Sequence, residues 1–218
     1  ILFFWIARMI MLGLRFQNAI PFRDVYVHAL VRDAEGKKMS KSKGNIIDPL
    51  SVMGEYGTDA LRFTLAAMAS PGRDIKLAPE RIEGYRNFAN KLWNATRFVL
   101  DNVPEGFERV ENKRINSQIN CWITSRLHRC IGDVNASLGE YRFDEAASRL
   151  YQFVWHEFCD WYIEFSKPDL KPDEGAGEAE AGRLETIQTM LDVLQHIVRL
   201  LHPFMPFLTE ELWSKLQH

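Results

Sequence analysis

Apolar residues recur every three or four positions through most of the chain after residue 78, which is the period of an amphipathic helix. The pattern predicts helices over 79–103, 116–138, 143–166 and 183–201, and a last helix that opens at Thr209 and ends near Leu216. The connections between these segments are short and contain glycine or proline. Amphipathic helices joined in this way are typical of a helix bundle.

Residues 1–78 follow a different pattern. The run 25–31 (VYVHALV) is rich in β-branched and aromatic residues, which predicts a buried strand that is followed by a turn at 33–36. Asp48 and Pro49 predict the start of one helix, and the residues 57–59 (GTD) cap a second helix over 60–68. We therefore predict two parts, with the strand in 1–78 and the bundle in 79–218.

Aromatic residues are frequent along the predicted helix 143–166. They are Phe153, Trp155, Phe158, Trp161, Tyr162 and Phe165. Such a stripe can stack unpaired bases, but spacings of three and four place several of its members on one buried face. We therefore predict that the stripe packs in a core. The acidic, glycine-rich segment 173–182 that follows this helix predicts a mobile linker.

Composition narrows the class of protein. The formal net charge is -2, so nucleic-acid binding requires a local cluster of cations rather than a basic chain. Cys121, Cys130 and Cys159 are odd in number and widely spaced, which favours buried thiols over disulfides or a zinc site. The apolar start of the chain is interrupted by Arg8 and Arg15 and is too short to span a membrane, so we expect a soluble protein.

The segment 38–45 (KMSKSKGN) carries the most specific chemistry in the chain. It contains three lysines, two serines and one glycine. Ammonium groups neutralise phosphate charge, hydroxyls donate to phosphate oxygens, and glycine permits a close backbone approach. Because the loop follows a predicted strand, it stands where open α/β sheets bind ligands. The pattern predicts a polyphosphate site; a solvated surface turn is the alternative.

Residues that suit RNA share one face of the predicted helix 79–103. Asn87, Lys91, Asn94 and Phe98 recur every three or four positions, and Arg81 precedes them on the same helix. Cations hold phosphates, amides read base edges, and an aromatic ring stacks on an unpaired base. This face predicts RNA contact, and packing against neighbouring helices is the alternative for Phe98.

The chain resembles the class I aminoacyl-tRNA synthetases, whose second signature is the same Lys-Met-Ser-Lys-Ser loop after a strand that bears a His. Five stretches resemble the valyl-tRNA synthetase family in one collinear order: 1–13, 25–45, 57–65, 84–98 and 202–213. The resemblance implies a mostly α chain. It would comprise the end of a class I Rossmann-type catalytic domain, with one or two strands plus helices, followed by an α-helical bundle that binds the anticodon.

The same resemblance implies roles for single residues in the loop. The residues expected to bind ATP are His28, Lys38, Met39, Ser40, Lys41 and Ser42. Among them, Lys38 and Lys41 are the expected catalytic residues, which stabilise departing pyrophosphate as the aminoacyl-adenylate forms. His28 is expected near the adenosine, and Ala29 follows it where the family usually has glycine.

Two further sets of residues acquire roles from the resemblance. Ile1 and Trp5 fall where the family lines its pocket for the valine side chain, with core packing as the alternative. The residues expected to contact tRNA are Arg81, Asn87, Lys91, Asn94 and Phe98.

The resemblance also implies substrates and partners. ATP with Mg²⁺, valine and tRNA(Val) are expected for the full-length enzyme, with no further cofactor or metal, as a cytoplasmic monomer. The first signature of the family, His-x-Gly-His, is absent from these residues, so we expect a fragment that is inactive alone. Two alternatives stay open: a fragment of isoleucyl-tRNA synthetase, and a non-catalytic helical module that binds RNA.

Overall fold

The chain is mostly helical in the computed structural model, which describes residues 1–110, 114–171 and 177–217. A π-helical turn, Leu2–Ile6, leads into helix α1 (Ala7–Gln17). Strand β1 (Val31–Arg32) and a 3₁₀ turn (Lys41–Lys43) follow. Helices α2 (Pro49–Tyr56) and α3 (Thr58–Ala67) then lead to strand β2 (Ile75–Lys76).

The remaining residues form the bundle. Its elements are α4 (Pro79–Asp101), α5 (Gln118–Gly139), α6 (Phe143–Tyr151), a π-helical segment (Gln152–Tyr162), α7 (Ile163–Ser166), α8 (Glu178–Leu201) and α9 (Pro206–Leu216). Helix α6, the π segment and α7 run without a break, which confirms the single helix predicted over 143–166. The mostly α fold class is likewise confirmed.

The two strands form a short parallel ladder. Val31 lies opposite Ile75 and Arg32 opposite Lys76. The predicted strand over 25–31 is therefore wrong in most of its length, because only its last residue enters the ladder. Its prediction as buried is also wrong, since Val27 and Leu30 are 60% and 62% exposed. A ladder requires a hydrogen-bonding neighbour, and the described residues offer this run only the two residues of β2.

Local chemistry explains where the next helices start. The Asp48 carboxylate accepts hydrogen bonds from the amides of Leu50 and Ser51, and Pro49 occupies the first turn, which confirms the predicted start of α2. Gly57, with φ of 91°, separates α2 from α3.

Two predictions about the C-terminal helices need correction. Helix α9 begins at Pro206 rather than at Thr209, because a proline in the first turn sacrifices no backbone hydrogen bond. Helix α8 begins at Glu178, so residues 178–182 of the predicted mobile linker are helical. Alanine and glutamate are good helix formers and outweigh Gly182 here. Residues 173–176 of that prediction lie outside the described residues.

The aromatic stripe packs largely in the core. Phe153, Phe158 and Tyr162 are fully buried, which confirms core packing for these three side chains. The π-helical repeat brings residues five apart onto one side, as in the buried pair Phe153 and Phe158. Trp161 and Phe165 instead remain 54% and 47% exposed.

A buried polar network ties three elements of the bundle together. The Glu185 carboxylate on α8 accepts hydrogen bonds from the backbone amides of Asn116 and Ser117, at 3.1 and 2.9 Å, just before α5 begins. It also accepts from the Asn120 amide at 3.1 Å, and the Tyr162 hydroxyl donates to Asn120 at 2.8 Å. The carboxylate thereby satisfies donors at a helix N-terminus that would otherwise be costly to bury.

The three cysteine thiols differ in how deeply they are buried. Cys130 and Cys159 are buried as predicted, and loss of hydration raises the pKa of each to about 12. The prediction is wrong for Cys121, which is exposed at the start of α5.

Within the part of the chain that the structure describes, no helix has the length and apolarity needed to cross a membrane.

Phe88 provides a test of the bundle core. Its fully buried ring lies 5.3 Å from that of Phe63 and 5.1 Å from that of Tyr151, between centroids. Phe88→Ala should lower the free energy of unfolding in urea by about 3–5 kcal/mol, because it leaves a cavity. The control Phe16→Ala, at a side chain 72% exposed, should change it by less than about 0.5 kcal/mol. Equal effects of the two substitutions would refute this core.

Candidate active-site loop

The basic loop leaves the carboxyl end of β1. An ion pair between Arg32 and Asp74 joins β1 to the residue before β2. Immediately after Arg32, the amide of Asp33 donates to the carbonyl of Lys37 at 3.1 Å, and the amide of Gly36 donates back to Asp33 at 2.9 Å. These two hydrogen bonds close the turn and fix the backbone that leads into Lys38.

Asp33 and Asn45 close the base of the loop. The Asp33 carboxylate accepts from the Asn45 side-chain amide at 2.7 Å and from the backbone amide of Lys37 at 2.6 Å. The Asn45 side chain also accepts from the amide of Ser40 at 3.0 Å. Asp33 is 6% exposed, although it lies among polar residues. We call this Asp33–Asn45 pair the latch.

Sequence reasoning missed the latch. Both residues are of types that favour turns, and they lie twelve positions apart at the two ends of the basic segment. Their placement could have predicted the contact, because Asp and Asn side chains at the ends of a loop often form hydrogen bonds that close it. The hydrogen bond from Asn45 holds the pKa of Asp33 below its ordinary value of 3.8.

The latch leaves the cations at the tip of the loop available. Lys41–Lys43 form one 3₁₀ turn, which ends at Gly44 with φ of 64°. The Ser40 and Ser42 hydroxyl oxygens lie 3.3 Å apart. Lys38 and Lys41 are exposed, and among the described residues neither forms an ion pair with a carboxylate. Concentrated positive charge without an internal partner suits a polyphosphate anion.

The other predicted catalytic-domain residues lie outside this loop. His28 is exposed three residues before β1, with its Nδ1 2.7 Å from the carbonyl oxygen of Ala29. Ile1 and Trp5 share one helical turn, in which the Trp5 amide donates to the Ile1 carbonyl at 2.9 Å. They are 75% and 63% exposed, so the described residues do not pack them into a core. Among the described residues, no hydrogen bond joins His28, Ile1 or Trp5 to the basic loop.

The predicted RNA-contacting face of α4 divides into two kinds of environment. Lys91 forms an ion pair with Asp160 and lies 4.0 Å from the ring centroid of Trp155, so it bridges α4 to the π segment. Phe98 packs against the core and has the Lys167 ammonium 5.9 Å from its ring centroid. Arg81, Asn87 and Asn94 are exposed. All five remain predicted tRNA contacts.

Two family models match separate parts of this chain. Residues 1–78 match the class I tRNA synthetases (I, L, M and V), and residues 120–218 match the anticodon-binding domain of tRNA ligase. Together with the basic loop after β1 and the helical bundle, these matches show that the chain belongs to the class I tRNA synthetases.

Similarity to curated proteins identifies the family within that class. The chain is 57% identical to the valine–tRNA ligase of Syntrophotalea carbinolica and 58% identical to that of Geobacter sulfurreducens. Each comparison covers 99% of this chain and 24% of the relative. The chain therefore belongs to the valine–tRNA ligase family and spans about a quarter of the length of these relatives. The valyl interpretation is favoured over the isoleucyl alternative.

Solved structures confirm the fold. A ternary complex of Agrobacterium radiobacter K84 agnB2 LeuRS with tRNA and LeuAMS matches with a TM-score of 0.73 and 23% identity, over 96% of this chain and 25% of that one. Mycobacterium tuberculosis methionyl-tRNA synthetase, in complex with methionyl-adenylate, matches with a TM-score of 0.71 and 22% identity, over 86% and 37%. At these identities the likeness shows the arrangement of elements alone.

The latch makes a prediction about pH. Because the folded pKa of Asp33 is lowered, the latch stabilises the chain above the ordinary value of 3.8 and is lost as pH falls through the lower folded pKa. Asn45→Ala removes the main donor, so the pKa of Asp33 should rise toward 3.8 in a carboxyl NMR titration. Asp48 is an internal control, because Ser51 lowers its pKa independently of Asn45. An unchanged Asp33 pKa in this variant would contradict the latch.

Proposed function

We propose that the full-length enzyme activates valine with ATP and transfers it to tRNA(Val), and that this chain supplies the phosphate-binding loop and the tRNA-binding bundle. The observation that carries the proposal is the loop held by the latch, in which Lys38 and Lys41 are exposed and form no ion pair with any carboxylate of the described residues. The valine–tRNA ligase family membership supplies the reaction and the amino acid.

In the proposed reaction, a carboxylate oxygen of valine bonds to the α-phosphorus of ATP as the bond from that phosphorus to the leaving oxygen breaks. Negative charge develops on the departing pyrophosphate. Lys38 and Lys41 neutralise that charge, and the hydroxyls of Ser40 and Ser42 donate to phosphate oxygens. Met39, which lies between these lysines in the sequence, is half-buried, and we assign it to the same ATP-binding loop. Mg²⁺ accompanies ATP as part of the substrate, and we propose no further bound cofactor.

The remaining proposed contacts follow the family. His28 contacts the adenosine, and Ile1 with Trp5 forms an aliphatic and aromatic wall for the valine side chain. The exposure of His28, Ile1 and Trp5 supports this assignment, because each side chain is accessible to a ligand or to other parts of a full-length enzyme.

The second step transfers valine from the adenylate to a terminal hydroxyl of tRNA(Val), and AMP leaves. The bundle binds the anticodon arm through Arg81, Asn87, Lys91, Asn94 and Phe98. We propose the division of the chain into residues 1–78, the end of the catalytic domain, and 79–218, the anticodon-binding domain. The change to continuous helices at Pro79 supports it. The proposed enzyme is a cytoplasmic monomer.

Substitution of the loop lysines tests the chemical step. In the full-length enzyme, Lys38→Met and Lys41→Met should each lower the rate of valine-dependent ATP–pyrophosphate exchange by roughly 10²-fold or more, as loss of one preorganised charge does at other sites. Lys171→Met, an exposed lysine of the bundle, should leave the rate unchanged. Exchange within about twofold of wild type in both loop variants would refute the catalytic assignment.

Salt dependence tests the tRNA interface. Binding of tRNA(Val) to the 218-residue chain should weaken steeply as salt increases, and Arg81→Met should reduce the slope of log affinity against log salt by about 1. Arg15→Met on α1 is the matched control and should leave the slope unchanged. A tRNA(Val) with an altered anticodon should bind more weakly. Equal affinity for the altered tRNA would contradict anticodon binding by the bundle.

A further inference from the structure

Three residues on one face of α3 contact the connection between α8 and α9. Asp59, Arg62 and Phe63 are spaced at i, i+3 and i+4, so they project from the same side of the helix. Their partners lie in residues 203–208, about 140 positions later in the chain. We call residues 203–208 the α8–α9 corner.

Asp59 caps the start of α9. Its carboxylate accepts hydrogen bonds from the backbone amide of Leu208 at 2.6 Å and from that of Phe207 at 3.4 Å. These amides belong to the first turn of the eleven-residue α9, where no earlier carbonyl in the helix can accept them. Asp59 is 8% exposed, so its negative charge faces the positive end of the helix dipole with little access to water.

Arg62 binds backbone carbonyls that follow the C-terminal end of α8. Its Nε donates to the carbonyl of Phe204 at 3.2 Å, and its Nη2 donates to the carbonyl of Pro203 at 3.0 Å. Both carbonyls lie just past the last residue of α8, at the negative end of that helix dipole. A carboxylate and a guanidinium one turn apart on α3 thus bind, respectively, the first-turn amides of α9 and the carbonyls of the connection that follows α8.

Phe63 adds an apolar contact at the same place. It is fully buried, and its ring centroid lies 6.0 Å from that of Phe204 and 5.3 Å from that of Phe88. The polar contacts of Asp59 and Arg62 therefore surround a packed aromatic pair. Because the two charges are opposite, the corner fits α3 in only one orientation.

The connection from this contact to the basic loop is short and ordered. Asp48, which caps α2, stands three residues after Asn45 of the latch. Only Gly57 separates α2 from α3, and Val52 of α2 and Leu61 of α3 share an apolar core with Ile82 of α4. The position of α3 on the bundle therefore determines how the loop is oriented relative to the bundle.

We propose that Asp59 and Arg62 are positioning residues that set the angle between the catalytic loop and the tRNA-binding bundle. This role rests on the proposed function, since it requires that tRNA held by the bundle reaches an adenylate made beside the loop. Amino-acid activation needs no bundle-bound tRNA, whereas transfer does. Loss of the contact with the corner should therefore impair transfer and spare activation.

The test compares the two half-reactions in the full-length ligase. Asp59→Asn and Arg62→Met should each lower kcat/KM for tRNA(Val) aminoacylation by roughly tenfold or more, since small misplacements far from the reacting atoms have effects of this size. Valine-dependent ATP–pyrophosphate exchange should stay within about twofold of wild type. Arg62→Lys keeps the charge but loses the two-pronged geometry, and it should give an intermediate loss.

A matched control and a folding check accompany these variants. Glu210→Gln removes a carboxylate from the first turns of α9, the helix that Asp59 caps. The described residues give Glu210 no partner, so both half-reactions should be unchanged. Far-UV circular dichroism at the assay temperature verifies that each variant is folded. If exchange and aminoacylation fall together, or if neither falls, the positioning role is refuted. A wild-type enzyme without valine-dependent exchange would instead refute the proposed function, and the positioning role with it.

Discussion

The arrangement of this chain depends on the packing of helix α3 between two apolar cores. Phe63 belongs to the large core of the bundle, whereas Ala60 and Leu61 belong to a smaller core with Val52 and Ile82. Ten residues thus present one face to the bundle and another to the helices that follow the basic loop. Because interiors are close-packed, α3 cannot rotate without opening a void in one core or the other. Together with α4, which contributes Ile82 to the small core and Phe88 to the large one, α3 holds the loop region and the bundle as neighbours.

The basic loop combines a rigid base with an accessible tip. The two carboxylate oxygens of Asp33 accept hydrogen bonds from the Lys37 backbone amide and the Asn45 side chain. The negative charge of Asp33 is therefore satisfied by hydrogen bonds at the base of the loop. Lys38 and Lys41 consequently extend from a closed backbone rather than from a free coil. A binding loop that is already ordered loses less conformational entropy when a ligand arrives. The same arrangement explains why an acidic residue can stand beside the proposed phosphate site without neutralising the lysines.

In the bundle, several cationic side chains form ion pairs between helices. Arg126 and Arg149 both bind Glu157, at 2.6 and 3.1 Å, and Lys91 pairs with Asp160. Burial raises the pKa of Glu157, but the two guanidinium groups outweigh burial and leave it below its ordinary value. Such cations stabilise the packing of α5 and the π segment and are less available to an RNA. A count of basic residues therefore overstates the charge that the bundle offers to tRNA.

The sequence by itself determined where the bundle helices lie, apart from the starts of α8 and α9, together with the position of the basic loop and the family, because these depend on local periodicity and on short motifs. It also indicated that the aromatic stripe would pack in a core, which holds for Phe153, Phe158 and Tyr162 but not for Trp161 and Phe165. It did not indicate how much of the run 25–31 would pair, because strand formation depends on a neighbour elsewhere in the chain.

Only the tertiary structure decided which distant residues meet. Asp59 and Leu208 are 149 positions apart, and neither the charge of the aspartate nor the start of α9 predicts that one caps the other. The same holds for Lys91, whose place on a polar helix face was evident but whose pairing with Asp160 depends on the docking of the π segment. A local period specifies the face on which a side chain lies. The element that covers that face is selected by the packing of the whole chain, because many arrangements of amphipathic helices satisfy the same period.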